Sequence, residues 1–349
     1  LLALLFALPN VLPQSTLDRM PSWLPHERLN LGLDLQGGSY LLYDLDVQEL
    51  RKEKLTNLVE DVRTSLRTAQ IPTTSLGIVD GAVVVRVNDA AQVQPAYREL
   101  DKLAVPIRSG AGRNIELKIQ PDNHIRLSLS EQGLTEESRA AVDQSMKTIR
   151  RRIDTKGTKE VAIVKQGATR IVIEAPGVAD PERLKRLIGQ TAKLTFQMVD
   201  EHVTPADAAA GRLPPDDVLL PSVEPGEPAG VVVKKRALVT GEMLQDASFG
   251  TDQQSGQTVV NFRFNGIGTR KFGAATVRHV TPQFAIVLDN KVISHPTILN
   301  PITTGSGMIT GNYTPESANE LATILKSGAL PAKLNVLEQR TIGAELGKD

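Results

Sequence analysis

The alternation of apolar and polar positions predicts two successive units with the same element order. Residues 39–45 alternate like a strand, and apolar side chains in 55–69 recur at helical spacing. A hairpin with an Asp80-Gly81 turn, a second helix and a strand at 115–119 follow. The same order recurs over residues 125–199. Two βαββαβ units are typical of ferredoxin-like folds, which host many functions and indicate none of them.

The pattern changes after residue 200. Six prolines fall between residues 205 and 228 among acidic residues, which predicts a loop or linker. Residues 231–311 then read mostly as strands, and a helix and a final strand follow them. We therefore expect an α+β chain in which residues 29–200 form a base of two ferredoxin-like units. Residues 201–311 form an inserted β-rich α+β head, and residues 312–340 return to the base.

The first eight residues are continuously apolar and stop at Pro9. Eight residues are too few for a bilayer, which takes about 20. The stretch reads either as the apolar region of a cleaved signal peptide or as the outer half of a transmembrane helix. The second interpretation is favoured, because no positively charged leader region or A-x-A site accompanies it. Residues 1–13 are then the end of a transmembrane helix, and residues 14–28 are a membrane-exit linker.

Composition excludes several functional classes. The 40 basic and 40 acidic residues cancel, and only 3% of residues are aromatic, so we expect no nucleic-acid partner. The chain contains no cysteine, which excludes disulfides and thiolate ligands. Its five histidines are scattered without metal-ligand spacing. We therefore predict no metal and no cofactor.

Local motifs give no positive support for an enzyme. The glycine pair at 37–38 lacks the spacing of a phosphate-binding loop, and no G-x-S-x-G segment is present. Arg150, Arg151 and Arg152 are consecutive on a predicted helix, where successive side chains point about 100° apart. They therefore cannot act together as a clamp, and a solvated face with one carboxylate partner is expected. The carboxylates are too dispersed to indicate an acid–base pair.

Several collinear segments resemble the signature segments of the SecD family of protein-export subunits. The first of these segments is Leu31, Gly32, Leu33, Asp34, Leu35, Gln36, Gly37 and Gly38. The last includes Arg340, Thr341, Gly343 and Gly347, with Ala344 where the family has proline. Five further segments, located between the first and the last, also resemble family segments, with Asn290 where the family has glycine. They are residues 151–157, 166–178, 285–289, 305–311 and 325–332.

This resemblance implies the first periplasmic domain of a Gram-negative SecD, held in the bacterial inner membrane. Residues 341–349 would lead into the second transmembrane helix. The implied partners are SecF, the SecYEG channel and unfolded secretory polypeptide. The implied activity is assistance to export driven by the proton gradient, through movement of the head against the base. The proton-relay carboxylates of the family lie in transmembrane helices and so outside this chain.

The resemblance also suggests site residues. The expected hinges are at Asp200, Thr204, Gly311 and Thr314. The head holds five of the seven phenylalanines, and Phe249 and Phe264 are the candidates for contact with substrate.

Two alternative functions stay open. One is a static scaffold for SecF and the channel, and the other is a periplasmic porter domain of an RND-type exporter.

Overall fold

The structure is a computed structural model that describes residues 37–108, 110, 112–154, 161–178, 180–224, 229–253, 255–278, 283–298 and 300–342. The predicted membrane segment, the exit linker and residues 31–36, 343 and 347 of the SecD-like segments lie outside the described residues. Within those ranges, no helix has both the length and the apolar character needed to cross a membrane.

The described elements alternate between helices and antiparallel strands. Up to residue 189 they are β1 (Gly38–Leu45), α1 (Val47–Thr68), β2 (Thr73–Val79), β3 (Ala82–Val87), α2 (Val93–Asp101), β4 (Ile115–Gln120), β5 (His124–Leu129), α3 (Glu131–Ile153), β6 (Ala162–Gln166), β7 (Arg170–Pro176) and α4 (Pro181–Gly189). They continue as β8 (Leu194–Val199), α5 (Pro205–Ala209), β9 (Asp217–Leu220), β10 (Val231–Thr240), β11 (Leu244–Thr251), β12 (Thr258–Phe264), α6 (Gly266–Arg278), β13 (Phe284–Leu288), β14 (Lys291–Ser294), β15 (Ser306–Ile309), α7 (Pro315–Ser327) and β16 (Leu334–Ile342).

One four-stranded sheet joins the two ends of the described chain, in the order β16-β1-β7-β6. Alternate residues of β1, namely Leu41, Tyr43 and Leu45, are buried because successive side chains of a strand point to opposite faces. They share one core with Val142 and Ile149 on the buried face of α3. Helix α4 packs against the same core, and its Asp180 cap and Pro181 start agree with the sequence pattern.

A second four-stranded sheet has the order β2-β3-β5-β4 and packs against α1 and α2. The β2–β3 hairpin turns at Asp80 and Gly81, whose φ values of 47° and 69° are those that a tight hairpin turn requires. The hairpin prediction is therefore confirmed. We call these two sheets with α1–α4 the first unit.

The predicted connectivity of two consecutive βαββαβ blocks is wrong. Strand β1 pairs with β7 and β16, and β5 pairs with β3 in the place that the prediction gave to β1. Strand β8, expected to close the second block, pairs with β10 and β13 instead. Periodicity identifies a strand and its buried face, but it does not identify the partner strand, because that pairing is set by tertiary packing.

The remaining elements, β8–β15 with α5–α7, form what we call the second unit. It contains a five-stranded sheet, β14-β13-β8-β10-β9, and a three-stranded sheet, β11-β12-β15. Phenylalanine rings fill the core between them, with contacting ring centroids 5.0 to 6.1 Å apart. The rings belong to Phe196, Phe262, Phe264, Phe272 and Phe284.

Two elements differ from the predicted domain plan. Helix α7 begins at the predicted Thr314 cap and packs mainly on β11 and β12, through Ala318 and Leu321. It also touches the first unit, where Ile324 lies against Leu187 of α4. The proline-rich segment also contains structure, because it holds α5 and the edge strand β9. After α7 the chain returns to the first unit, where Leu330 and Ala332 join its core and β16 pairs with β1.

Candidate functional site at the junction of the two units

The chain crosses between the units twice, and the two crossing segments are hydrogen-bonded to each other. Residues 190–193 connect α4 to β8, and residues 328–333 connect α7 to β16. The amide of Leu330 donates to the carbonyl of Thr191 at 2.7 Å. Each segment turns at a residue with positive φ, Ala192 at 59° and Gly328 at 89°. This conformation suits glycine and is strained for alanine, so other contacts must hold the first segment.

The carboxylate of Asp289 supplies those contacts from the second unit. Its Oδ1 accepts the hydroxyl of Thr191 at 2.5 Å and the amide of Lys193 at 2.8 Å. Its Oδ2 accepts the amide of Ala192 at 3.1 Å. Asp289 lies in the β13–β14 turn with φ of 49°, a region that aspartate tolerates better than most residues. One side chain therefore satisfies three donors around the strained alanine.

Arg152 reaches the junction from the first unit. It lies in the last turn of α3 and is only 1% exposed. Its N–H groups donate to oxygens of Leu187 (2.9 Å), Gln190 (2.5 Å), Thr191 (3.4 Å), Ser327 (3.2 Å) and Gly328 (3.0 Å).

The expectation of a solvated arginine run is therefore wrong for Arg152, although Arg150 and Arg151 are exposed. The missed signal is helical spacing, because Arg152 follows the buried Thr148 and Ile149 by four and three residues.

Apolar and ionic contacts complete the junction. Leu187, Ala192 and Ile324 form a small buried cluster between α4, the first crossing segment and α7. Beside it, Glu320 on α7 lies 3.8 Å from Arg183 and 3.7 Å from Arg186 on α4. The two arginine side chains are exposed, and Glu320 is half-buried. These ion pairs border a cleft of about 100 Å³ between α3, α4 and α7. The contacts between the two units therefore combine buried hydrogen bonds, a small apolar cluster and ion pairs.

The first pair of predicted hinge residues lies within the second unit. Asp200 follows β8 directly, and its Oδ2 accepts Lys234 Nζ at 2.6 Å, which lowers the pKa of the Asp200 carboxyl. Thr204 caps α5 by accepting the Asp207 amide at 3.1 Å. The Thr204 hydroxyl and the Arg212 guanidinium in turn lower the pKa of Asp207 to about 2.

The second pair of predicted hinge residues, Gly311 and Thr314, also lies within the second unit. Thr314 caps α7 through a reciprocal pair of hydrogen bonds with Ser317. A side chain at Gly311 would meet the ring of Tyr313. None of these four residues lies in the crossing segments at 190–193 and 328–333.

The two substrate-contact candidates have opposite environments. Phe264 is 2% exposed and sits in the phenylalanine core, so in this structure it offers almost no surface for the contact with substrate that the sequence suggested. Phe249 on β11 is 49% exposed and is accessible. The alternation of β12 explains the difference, because Phe264 shares its inward face with Phe262.

The structure brings the described residues of the first and last SecD-like segments together. Gly38 and Ser39 on β1 pair with Ile342 and Thr341 on β16. Arg340 lies over the ring of Tyr40, with its guanidinium carbon 5.8 Å from the ring centre. The carbonyl of Gly37, a residue with φ of 65°, accepts the amide of Gly177 at 3.0 Å, so the glycine pair forms a close turn at the start of β1.

In the part of the chain that the structure describes, no cluster of three or more His, Cys, Asp or Glu side chains could hold a metal ion. The geometry is that of a two-unit α+β domain whose parts are joined by two short crossing segments.

Comparisons with known proteins give the same family throughout. Family models match for "SecDF, P1 head subdomain" over residues 217–332, "Protein translocase subunit SecDF, P1 domain, N-terminal" over 142–201, and "SecD/SecF GG Motif" over 22–49. The protein translocase subunit SecD of Rickettsia bellii is 40% identical over 99% of this chain, and that of Acetobacter pasteurianus is 40% identical over 100%. A crystal structure of SecDF in a super-membrane-facing form is 27% identical, with a TM-score of 0.52 over 99% of this chain and 34% of that one.

The chain belongs to the SecD family. It spans 64% and 65% of the lengths of the Rickettsia bellii and Acetobacter pasteurianus relatives. The predicted family is therefore confirmed, and the relatives and the structure named above are SecD or SecDF proteins, not RND-type exporters.

Proposed function

We propose that this chain is the periplasmic domain of a SecD subunit in the bacterial inner membrane, and that it assists protein export. In this proposal, SecF and the SecYEG channel are its membrane partners, and unfolded secretory polypeptide is its substrate. Membrane attachment would come from segments outside the described residues. The relatives that carry the name of protein translocase subunit support this assignment.

The two-unit architecture is the observation that carries the proposal. We infer that the first unit is the base and the second unit is the head. The head-subdomain match at residues 217–332 falls mostly on the second unit, and the N-terminal match at 142–201 falls mostly on the first. In this assignment the head comprises residues 194–327, and β16 belongs to the base. Two parts joined by short crossing segments can reorient without unfolding.

The three-stranded sheet of the second unit is the surface that best suits an extended polypeptide. Strand β15 pairs with β12 at one side, and within the described residues no other strand pairs with it. Met308 on β15 is 45% exposed, and Phe249 on the opposite edge strand is 49% exposed. An open strand edge binds main chain through hydrogen bonds that do not depend on side-chain identity. Such binding tolerates many sequences, as a secretory substrate requires.

Photocrosslinking to a polypeptide stalled in export tests the contact. A photoreactive residue in place of Phe249 or Met308 is expected to crosslink to the stalled chain, with a yield that depends on the proton gradient. The same probe at Val164, an equally exposed residue of the first unit, is the matched control. Equal yields at all three positions, or crosslinks from Val164 alone, would contradict the assignment.

A reversible crosslink between the units tests movement. Cysteines replacing Arg183 and Glu320 face each other across the junction, and a reducible thiol crosslinker would join them. We expect export to stop while the crosslink is present and to recover after reduction. Cysteines replacing Glu182 and Lys185, which contact each other on the same helix, are the control pair. Export that continues through a verified Arg183–Glu320 crosslink would favour the static scaffold.

A further inference from the structure

The last turn of α3 places one cation where both crossing segments meet. Three consecutive arginines end this helix, yet Arg152 is buried while Arg150 and Arg151 are exposed. Ser145, Thr148 and Arg152 share the buried face, so the helix presents small polar side chains and then the guanidinium. The helix therefore directs the guanidinium into the buried contact between the two units.

The contacts of the guanidinium divide between the two segments. Three acceptors, in Leu187, Gln190 and Thr191, belong to the end of α4 and the first crossing segment. The other two, in Ser327 and Gly328, belong to the end of α7 and the second. A planar guanidinium has five donors in a fixed geometry and can serve both sides at once. An ammonium group has its three donors on one atom and cannot span the same set.

Helix ends explain why a positive charge is stable here. Helices α4 and α7 both end beside Arg152, and the last carbonyls of a helix carry partial negative charge and lack partners within the helix. Burial lowers the pKa of Arg152 to about 10, while the Asp289 carboxylate acts in the opposite direction. The group therefore stays charged at neutral pH. Its five hydrogen bonds offset the cost of burying that charge.

The other contacts at the junction are non-directional, weak, or confined to one crossing segment. The carboxylates of Asp289 and Glu53 make directional bonds, but those bonds reach only the first crossing segment. The cluster of Leu187, Ala192 and Ile324 is apolar, and apolar burial is non-directional. The ion pairs of Glu320 with Arg183 and Arg186 are solvent-accessible and longer than 3.5 Å, a type that contributes little. Directional bonds to both crossing segments at once come from Arg152.

We propose that Arg152 is a positioning residue that sets the orientation of the second unit on the first, with the pivot at residues 190–193 and 328–333. This inference deepens the proposed function, because the orientation matters for export only if that function holds. The pivot itself does not depend on export. It replaces the hinges expected at Asp200 to Thr204 and at Gly311 to Thr314, which lie inside the second unit.

Distances between spin labels in the full-length protein test the proposal. This chain has no cysteine, so introduced cysteines are its only thiols, and any cysteine elsewhere in the full-length protein is first replaced by serine. Labels replacing Val277 and Val164 report the distance between the units, and labels replacing Val277 and Phe249 report a distance inside the second unit. The variants are Arg152→Met, Arg152→Lys and the exposed control Arg151→Met.

In Arg152→Met we expect the distance distribution between the units to broaden about two-fold, because each unit keeps its core while the junction loses its directional bonds. The distribution inside the second unit stays unchanged. Arg152→Lys keeps the charge but loses the planar set of five donors, so we expect it to broaden the distribution between the units less than Arg152→Met does. If the methionine variant does not fold, the lysine variant provides the test. Arg151→Met changes neither distribution.

An unbroadened distribution between the units, in a folded Arg152→Met or Arg152→Lys protein, would overturn the proposal. Broadening of both distances would overturn it too, because it would show a general packing role. Export measured in the same variants tests the positioning role of Arg152 and the proposed function separately. A broadened junction with normal export keeps the positioning role and contradicts the proposed head movement.

Discussion

The ammonium group of Lys234 lies 2.7 Å from Oδ1 of Asp217, a carboxylate with no exposed surface. The same ammonium group lies 2.6 Å from Oδ2 of Asp200. These residues come from β10, the start of β9 and the residue after β8, so one cation joins three neighbouring strands of the five-stranded sheet. This arrangement explains why Asp200, expected to be a hinge, is held inside the second unit.

Replacing Lys234 with methionine leaves the Asp217 carboxylate buried without its cation. Removing one partner of a buried ion pair is strongly destabilising, and here part of the cost is relieved because Lys234 is partly exposed; we expect a loss of about 2 kcal/mol in the free energy of unfolding. Urea denaturation followed by circular dichroism measures it. Lys235→Met, at the adjacent exposed position, is the matched control. Adding Asp217→Asn to Lys234→Met should recover stability, and a double variant no more stable than the single one would contradict this account.

Acid stability should depend on Asp200. The hydrogen bond from Lys234 is the largest cause that holds the pKa of the Asp200 carboxyl below its ordinary value. Its contribution to stability is therefore complete above the unfolded pKa of about 3.9 and is lost as the pH falls through the lower folded pKa. We expect Asp200→Asn to be less stable than the parent at neutral pH and to approach it in acid. A stability difference that is constant from neutral pH into acid would disprove the linkage.

Gly307 should be intolerant of a side chain, although its φ is not positive. An added Cβ would lie 2.6 Å from Cζ of Phe262, whose ring is held by Phe196 and Phe264. We expect Gly307→Ala to destabilise by about 1–3 kcal/mol, the usual cost of overpacking a core. Gly77, a strand glycine with open space around it, is the control, and Gly77→Ala should be neutral or slightly stabilising. Equal urea midpoints for the two variants would contradict the packing argument.

Tyr43 should accept phenylalanine without loss. Its hydroxyl is buried at the core of the first unit and has no hydrogen-bond partner among the described residues, and burial raises the pKa of this phenol. Removing an unsatisfied buried polar group is neutral or stabilising by up to about 1 kcal/mol. Thermal and urea unfolding of Tyr43→Phe measure the effect. A clear loss of stability would show that the hydroxyl makes a stabilising hydrogen bond.

Local rules predicted much of the secondary structure, because the signals were themselves local. The Asp80-Gly81 turn and the Thr314 cap of α7 both lie where the sequence places them. Strand partners were not predictable from the same information. Strand β1 pairs with β16, which lies almost 300 residues later in the sequence, and the hydrophobic periodicity of the two strands does not predict that pairing.

The candidate site was harder to predict, since its residues act through positions distant in sequence. Arg152 contacts Gly328, and Asp289 contacts Thr191. The charge pattern alone made Arg152 resemble its exposed neighbours. Its helical phase relative to Ile149 indicated burial, but the five acceptors come from segments that only the fold brings together.

Asp289→Asn separates the electrostatic role of this carboxylate from its backbone conformation. Asparagine tolerates the left-handed conformation at least as well as aspartate, so the turn keeps its geometry. The amide has one acceptor oxygen and cannot satisfy the donors of Thr191, Ala192 and Lys193 together. We expect a loss of about 1–2 kcal/mol in the free energy of unfolding, because a buried donor is left unsatisfied. Asp122→Asn, in an exposed turn with φ of 57°, is the matched control and should leave stability unchanged. If Asp289→Asn were as stable as Asp122→Asn, then the strained Ala192 would have to be held by the Leu187 and Ile324 packing alone.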